Sequence, residues 1–275
     1  MQTCFELRED IVDRRHFLSA SLAASAAALV PEAGAQTSAA QSREYYQLRR
    51  YQLQSGAQPK LVESYFADAL IPALGRMRMG PVGAFKLDYG TETPALYLLM
   101  PGSSLEDLAM VDLRLAKDEV FLKAAQPFWN APASSPAFVR VESALLAAFE
   151  GWPRLTPPPT SATKAKRIFQ LRTYESPSYA DHVRKVEMFH NGEFEIFVKS
   201  GARPVFFGDT LVGPRLPNLT YMLAFQNMQE LEASWVAFSG NPDWKKLQSS
   251  PRYNYESIVS NITNLILSPL EASQI

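Results

Sequence analysis

A seven-residue phrase occurs twice in this chain, as YYQLRRY at 45–51 and as IFQLRTY at 168–174. At the same offset of 123 positions Phe66 meets Phe189, Pro81 and Val82 meet Pro204 and Val205, Leu108 meets Leu231, and Lys123 meets Lys246. Identities held at one spacing over such a span mark an internal duplication, and a duplication limits the fold more than any local pattern does. Between the copies, TPPPTSATKAK at 156–166 breaks the hydrophobic pattern and predicts an extended, solvated connector. The first copy then occupies 45–155 and the second 167–275. A chain of 275 residues, 47% hydrophobic and 20% charged, is long enough to give each copy a core.

The segment before the first copy reads differently. Arg14, Arg15, His16, Phe17 and Leu18 precede an Ala/Ser/Leu run that ends at Ala33-Gly34-Ala35. Paired arginines, a short apolar stretch and small residues at a cleavage point predict an export signal of the twin-arginine type over 1–35, with 36–44 a flexible lead-in. The apolar stretch is too short to serve as a stable membrane anchor. Export would place the protein in the periplasm or outside the cell. Removal of 1–35 would take away Cys4, the single cysteine, and leave 24 basic and 23 acidic residues. That balance argues against a nucleic-acid surface, and the missing thiol against cysteine-based catalysis or metal binding.

Within each copy the periodicities run strand, helix, strand, strand, helix, strand. In the second, Arg167 to Glu175 alternates like a half-buried strand, and 178–199 carries Val183, Val186, His190, Phe194 and Phe197 on one helical stripe. Strands follow at 204–211 and 219–225, then helices at 228–239 and around Trp244, then a strand at 257–267. The first copy repeats the order at 44–53, 59–76, 82–89, 95–100, 104–125 and 138–149. Such a β-α-β-β-α-β unit places both helices on one sheet face, so the other face needs cover. The expected fold is therefore α+β: two tandem ferredoxin-like domains packed sheet to sheet as an intramolecular α/β barrel.

The stretch ALIPALGRMRMGPVGAF at 69–85, VRVESALL at 139–146 and the two QLR-x-Y strands resemble the NIPSNAP family. That resemblance implies the dimeric α/β-barrel superfamily, with two NIPSNAP domains in tandem, and it makes Pro72 a tolerated kink in the first helix. It implies no agreed catalytic set. A protein without established catalysis is expected, binding a small apolar or anionic ligand or a protein partner, with further homo-oligomerisation open. The alternative is a cofactor-poor or haem-handling monooxygenase-like enzyme of the same superfamily.

Few residues can carry chemistry. Downstream of the signal the only histidines are His182 and His190. They lie about 12 Å apart on one helix at 1.5 Å per residue, too far to share a metal, and no metal site is expected. His190, in the apolar stripe with Glu187 near it, reads either as a general base or haem ligand, or as a core histidine bonded to Glu187 or a strand. The duplicated pairs Arg49/Tyr51 and Arg172/Tyr174 share a strand face two residues apart, and are placed near the barrel interior. They read as sites for an anionic or phenolic ligand, or as charges fixing the domain interface. The tryptophans, with Phe206, Phe207 and Phe225, read as core. No phosphate-binding glycine loop, nucleophile elbow or zinc-protease motif occurs.

Overall fold

The structure is a computed structural model that describes residues 42–90 and 92–275. The expected signal over 1–35 lies outside the described residues. Each copy contributes four strands: β1 (Tyr45–Gln52), β2 (Gly83–Leu87), β3 (Ala95–Gly102) and β4 (Arg140–Ala148), then β5 (Ile168–Glu175), β6 (Arg203–Val212), β7 (Asn218–Phe225) and β8 (Asn261–Pro269). They close into one antiparallel barrel in the order β1-β3-β2-β8-β5-β7-β6-β4. The duplication is written into the register. Arg49 sits opposite Leu98 and Arg172 opposite Tyr221, partners that keep the offset of 123, while on the other side Ser143 and Asn264 differ from it by two. The halves join through two seams, β2 with β8 and β4 with β6, so neither sheet keeps a free edge.

Strand alternation sorts the side chains into three cores. Tyr51 faces the helices of the first half and Tyr174 those of the second. Tyr46, Leu48, Phe169 and Leu171 point the other way, into a barrel interior that both halves fill. One end of that interior is plugged by Tyr46 against Phe206, with ring centroids 5.1 Å apart, and by Phe85 against Phe169 at 4.8 Å. The opposite end holds a cavity of 480 Å³. Interior and helix side are thus exchanged relative to expectation for the QLR-x-Y polar residues: the leucines of the motif enter the barrel, and Arg49, Tyr51, Arg172 and Tyr174 lie under the helices.

The connector is less solvated than its composition predicts. Leu155 joins the barrel core, Thr156 donates its N–H to Val205 O at 2.8 Å, and Thr160–Thr163 makes a helical turn with Ser161 buried. Fixing it against β6 satisfies main-chain groups that would otherwise need water.

The first helix of each half is interrupted at one place. In the first copy Ala57–Ser64 passes through a π-helical Tyr65–Leu70 into Ile71–Arg76. In the second Tyr179–Met188 passes through a π-helical Phe189–Glu193 into Phe194–Lys199. The local causes differ. Pro72 lacks an N–H for a normal turn, whereas Gly192 adopts φ +131°, a conformation that excludes most side chains.

Candidate functional site

The helix side of β1 carries a small polar cluster. Arg49 donates a bidentate pair of hydrogen bonds to Asp112, at 2.9 and 3.0 Å, and a third to Gln47 Oε1 at 3.0 Å. Burial disfavours the charged guanidinium, but Tyr51 and Asp112 together hold its pKa above the ordinary value. Burial likewise pushes the Tyr51 and Tyr65 hydroxyls up, so both stay protonated across the neutral range. Tyr65 stacks on Phe128 with centroids 3.9 Å apart and accepts from Trp129 Nε1 at 3.3 Å. Arg49, Tyr51, Tyr65, Asp112, Phe128 and Trp129, with Phe138 and Val141, line an open slot of 320 Å³ whose wall is largely aromatic and where the buried Arg49 meets the exposed carboxylate of Asp112. The slot can stack a planar ring and offer one donor and one acceptor to its substituent.

At the corresponding place in the second half the chemistry has changed. Trp235 stands where Asp112 stands in the first copy, covers Arg172 at 4.3 Å and donates to Gln170 Oε1 at 2.7 Å. Arg172 Nε is buried without an acceptor. The hydroxyls of Tyr174 and Tyr221 share a hydrogen bond of 2.8 Å, and burial raises the pKa of both. Beneath them Lys185 donates to Glu193 at 2.6 Å, both side chains almost wholly shielded. The ammonium lies 4.4 Å from the Phe189 ring centroid and 4.9 Å from that of Tyr255. Burial lowers the Lys185 pKa and raises that of Glu193, and each group opposes the other's shift. The sequence contains both residues in plain view, but only the π turn brings Glu193 inward to meet Lys185.

The same turn corrects the reading of His190. A widened turn advances the chain by an extra residue, so a 3.6-residue stripe drawn through it loses phase. His190 is exposed. Its Nδ1 meets Val186 O at 2.9 Å and its Nε2 accepts the Gly151 N–H at 3.1 Å, while the ring lies against Phe149. Val183 is exposed as well. Glu187 forks onto Arg252 rather than His190. With both nitrogens engaged by the main chain, His190 fits neither a general base nor a haem ligand, and it is not a core histidine. His182 is the buried one, with Nε2 2.7 Å from Asp209 Oδ1. Among the described residues no three His, Cys, Asp or Glu side chains cluster as metal ligands.

Two solved structures share this architecture. A candidate monooxygenase from Lactobacillus acidophilus is 9% identical, aligned over 82% of this chain and 94% of its own, with a TM-score of 0.55. A second candidate monooxygenase, from Fusobacterium nucleatum, is 6% identical over 84% of this chain and 94% of its own, with a TM-score of 0.54. A NIPSNAP-like domain protein from Burkholderia xenovorans is 16% identical over 38% of this chain and 86% of its own, with a TM-score of 0.34. No curated protein matches the chain. The NIPSNAP family model matches it twice, over 46–141 and 169–274, and on that match the chain belongs to the NIPSNAP family.

Proposed function

We propose that the protein binds a small planar aromatic molecule carrying a hydroxyl or carbonyl, in the slot between sheet and helices of the first half. The observation that supports this most is the divergence at one duplicated position. Asp112 leaves an open slot ended by a paired arginine, whereas Trp235 closes over Arg172. The ring of the ligand would stack among Tyr65, Phe128 and Trp129, and its oxygen would exchange hydrogen bonds with Arg49 and Asp112. Titration calorimetry with 2-naphthol tests the reading. Binding is expected in the native chain, about tenfold weaker in Asp112→Ala, where one partner of roughly 1.4 kcal/mol is lost. It should be absent in Val141→Trp, which fills the slot. Equal affinity in all three proteins would refute it.

A second reading, oxygenation of the bound phenol by molecular oxygen, draws support from the likeness to two candidate monooxygenases. Oxygen uptake with 1-naphthol, one oxygen atom entering the ring to give the 1,4-quinone and the other leaving as water with the two hydrogens lost by the substrate, would favour it, and no uptake above the blank would leave binding alone. Export by a twin-arginine route belongs to the same proposal, resting on Arg14, Arg15 and the small-residue run that follows. The double variant Arg14→Lys/Arg15→Lys should keep the chain in the cytoplasm on fractionation; unchanged export would reject that route.

A further inference from the structure

The barrel interior offers a second, separate site. Its plugged end leaves 480 Å³ at the opposite mouth, within the range of about 300–1,000 Å³ typical of small-molecule sites. The floor is aliphatic: Leu48 and Leu171, the two copies of the motif leucine, together with Leu87 and Leu265. The polar groups above it are largely satisfied within the protein. Thr173 and Thr220 share a hydrogen bond of 2.8 Å, and Thr210 donates to Asn218 at 2.7 Å.

The charges at the rim are paired too. Arg50 meets Glu142 at 2.9 Å and also contacts Glu92, and Arg215 meets Glu175 at 3.3 Å and Thr263 Oγ1 at 2.8 Å. A carboxylate entering this mouth would face Glu92 and Glu142, both already engaged by Arg50, and an ammonium would have to displace an arginine. Among the described residues the Arg50 Nε–H is buried without an acceptor. A buried donor of that kind is destabilising until something accepts from it.

We infer that the barrel mouth binds a neutral, mainly aliphatic molecule carrying a single carbonyl oxygen, such as a medium-chain ketone, ester or lactone. The alkyl part lies on the four leucines and the carbonyl accepts from Arg50. The site uses residues of both halves and none of the slot beside Arg49, so it stands or falls independently of the aromatic slot.

Calorimetric titration of the full chain with 2-decanone, decanoate and decylamine tests this. The ketone should bind one per chain, and the two charged analogues at least tenfold more weakly. Leu171→Trp should abolish ketone binding. Leu48→Trp should do the same from the opposite wall, which guards against one variant failing to fold. An unchanged far-ultraviolet circular dichroism spectrum and urea midpoint in both variants report that the fold survives. Arg50→Met removes the donor and frees Glu92 and Glu142, so it should weaken the ketone and strengthen decylamine. Absence of ketone binding, equal binding of decanoate, or ketone binding that persists in both tryptophan variants would overturn the inference.

Discussion

At positions 62 and 70 of the first copy stand Val62 and Leu70, both fully buried, where the second copy has Lys185 and Glu193. The molecule thus holds, at equivalent points of one fold, an apolar pair and a buried ion pair 2.6 Å apart. Removing two charges from water costs more than their mutual attraction returns in many such pairs, and apolar replacements of similar size are often neutral or stabilising. Glu193→Leu alone should therefore lower stability by ~3–5 kcal/mol in urea denaturation, because Lys185 is stranded. Lys185→Met/Glu193→Leu together should recover that loss and end level with or up to ~4 kcal/mol above the parent. A double variant as unstable as the single one would show that the pair itself holds this half together. Recovery in the double variant would mean that the ion pair serves something other than stability, with its ring of Tyr174, Phe189 and Tyr255 the place to look.

At the level of elements, the two interrupted helices carry the largest departure from simple periodicity. Gly192 sits at φ +131° inside the π turn, and an ideal Cβ built there meets no neighbour, so the cost of substitution is backbone strain alone. Gly192→Ala should destabilise the protein by ~1–3 kcal/mol without disturbing packing, as read from denaturant midpoints at unchanged slope. The helix Met228–Gly240 is anchored differently. Asn227 caps it by accepting from Glu230 N at 2.9 Å, and Glu230 reaches back to the Gln226 N–H and forks with Arg203 on β6 at 2.7 and 3.0 Å. That arginine holds the Glu230 carboxyl below its ordinary value of 4.5. Because the folded-state pKa is depressed, the unfolded chain binds more protons in acid. The contribution of Glu230 is complete above about pH 4.5 and is lost as the pH falls through the folded value. A Glu230→Gln variant should show a flatter acid limb in its stability profile, and an unchanged limb would mean the fork contributes nothing.

For the whole molecule, the decisive feature is that both seams of the barrel are made between halves. Leu146 pairs with Thr210 across one and Leu87 with Leu267 across the other, and the interior core draws on both copies at once. Neither half can bury its inner sheet face without the other, so the described part should unfold in one cooperative step. Phe169→Ala, in the plug, should cost ~3–5 kcal/mol and move the transition of both halves together. Two separated transitions in calorimetry would contradict a shared core.

The sequence by itself determined the duplication, the order of elements, and the need for a sheet-covering partner, since each follows from spacing and alternation along the chain. The single helix expected over 104–125 is instead three short ones, because Asp118 accepts from Phe121 N and starts a new helix inside it. The phase of the helix through 189–193 was not legible, because a single widened turn moves His190 out and Glu193 in, and no periodicity announces it. Nor was the face of Arg49 and Arg172, since alternation says which residues share a side but not which side becomes the inside. The tertiary structure decided that when closure of the barrel gave the interior to Leu48 and Leu171 and left the arginines to the helices, one beside an acid and the other beneath an indole.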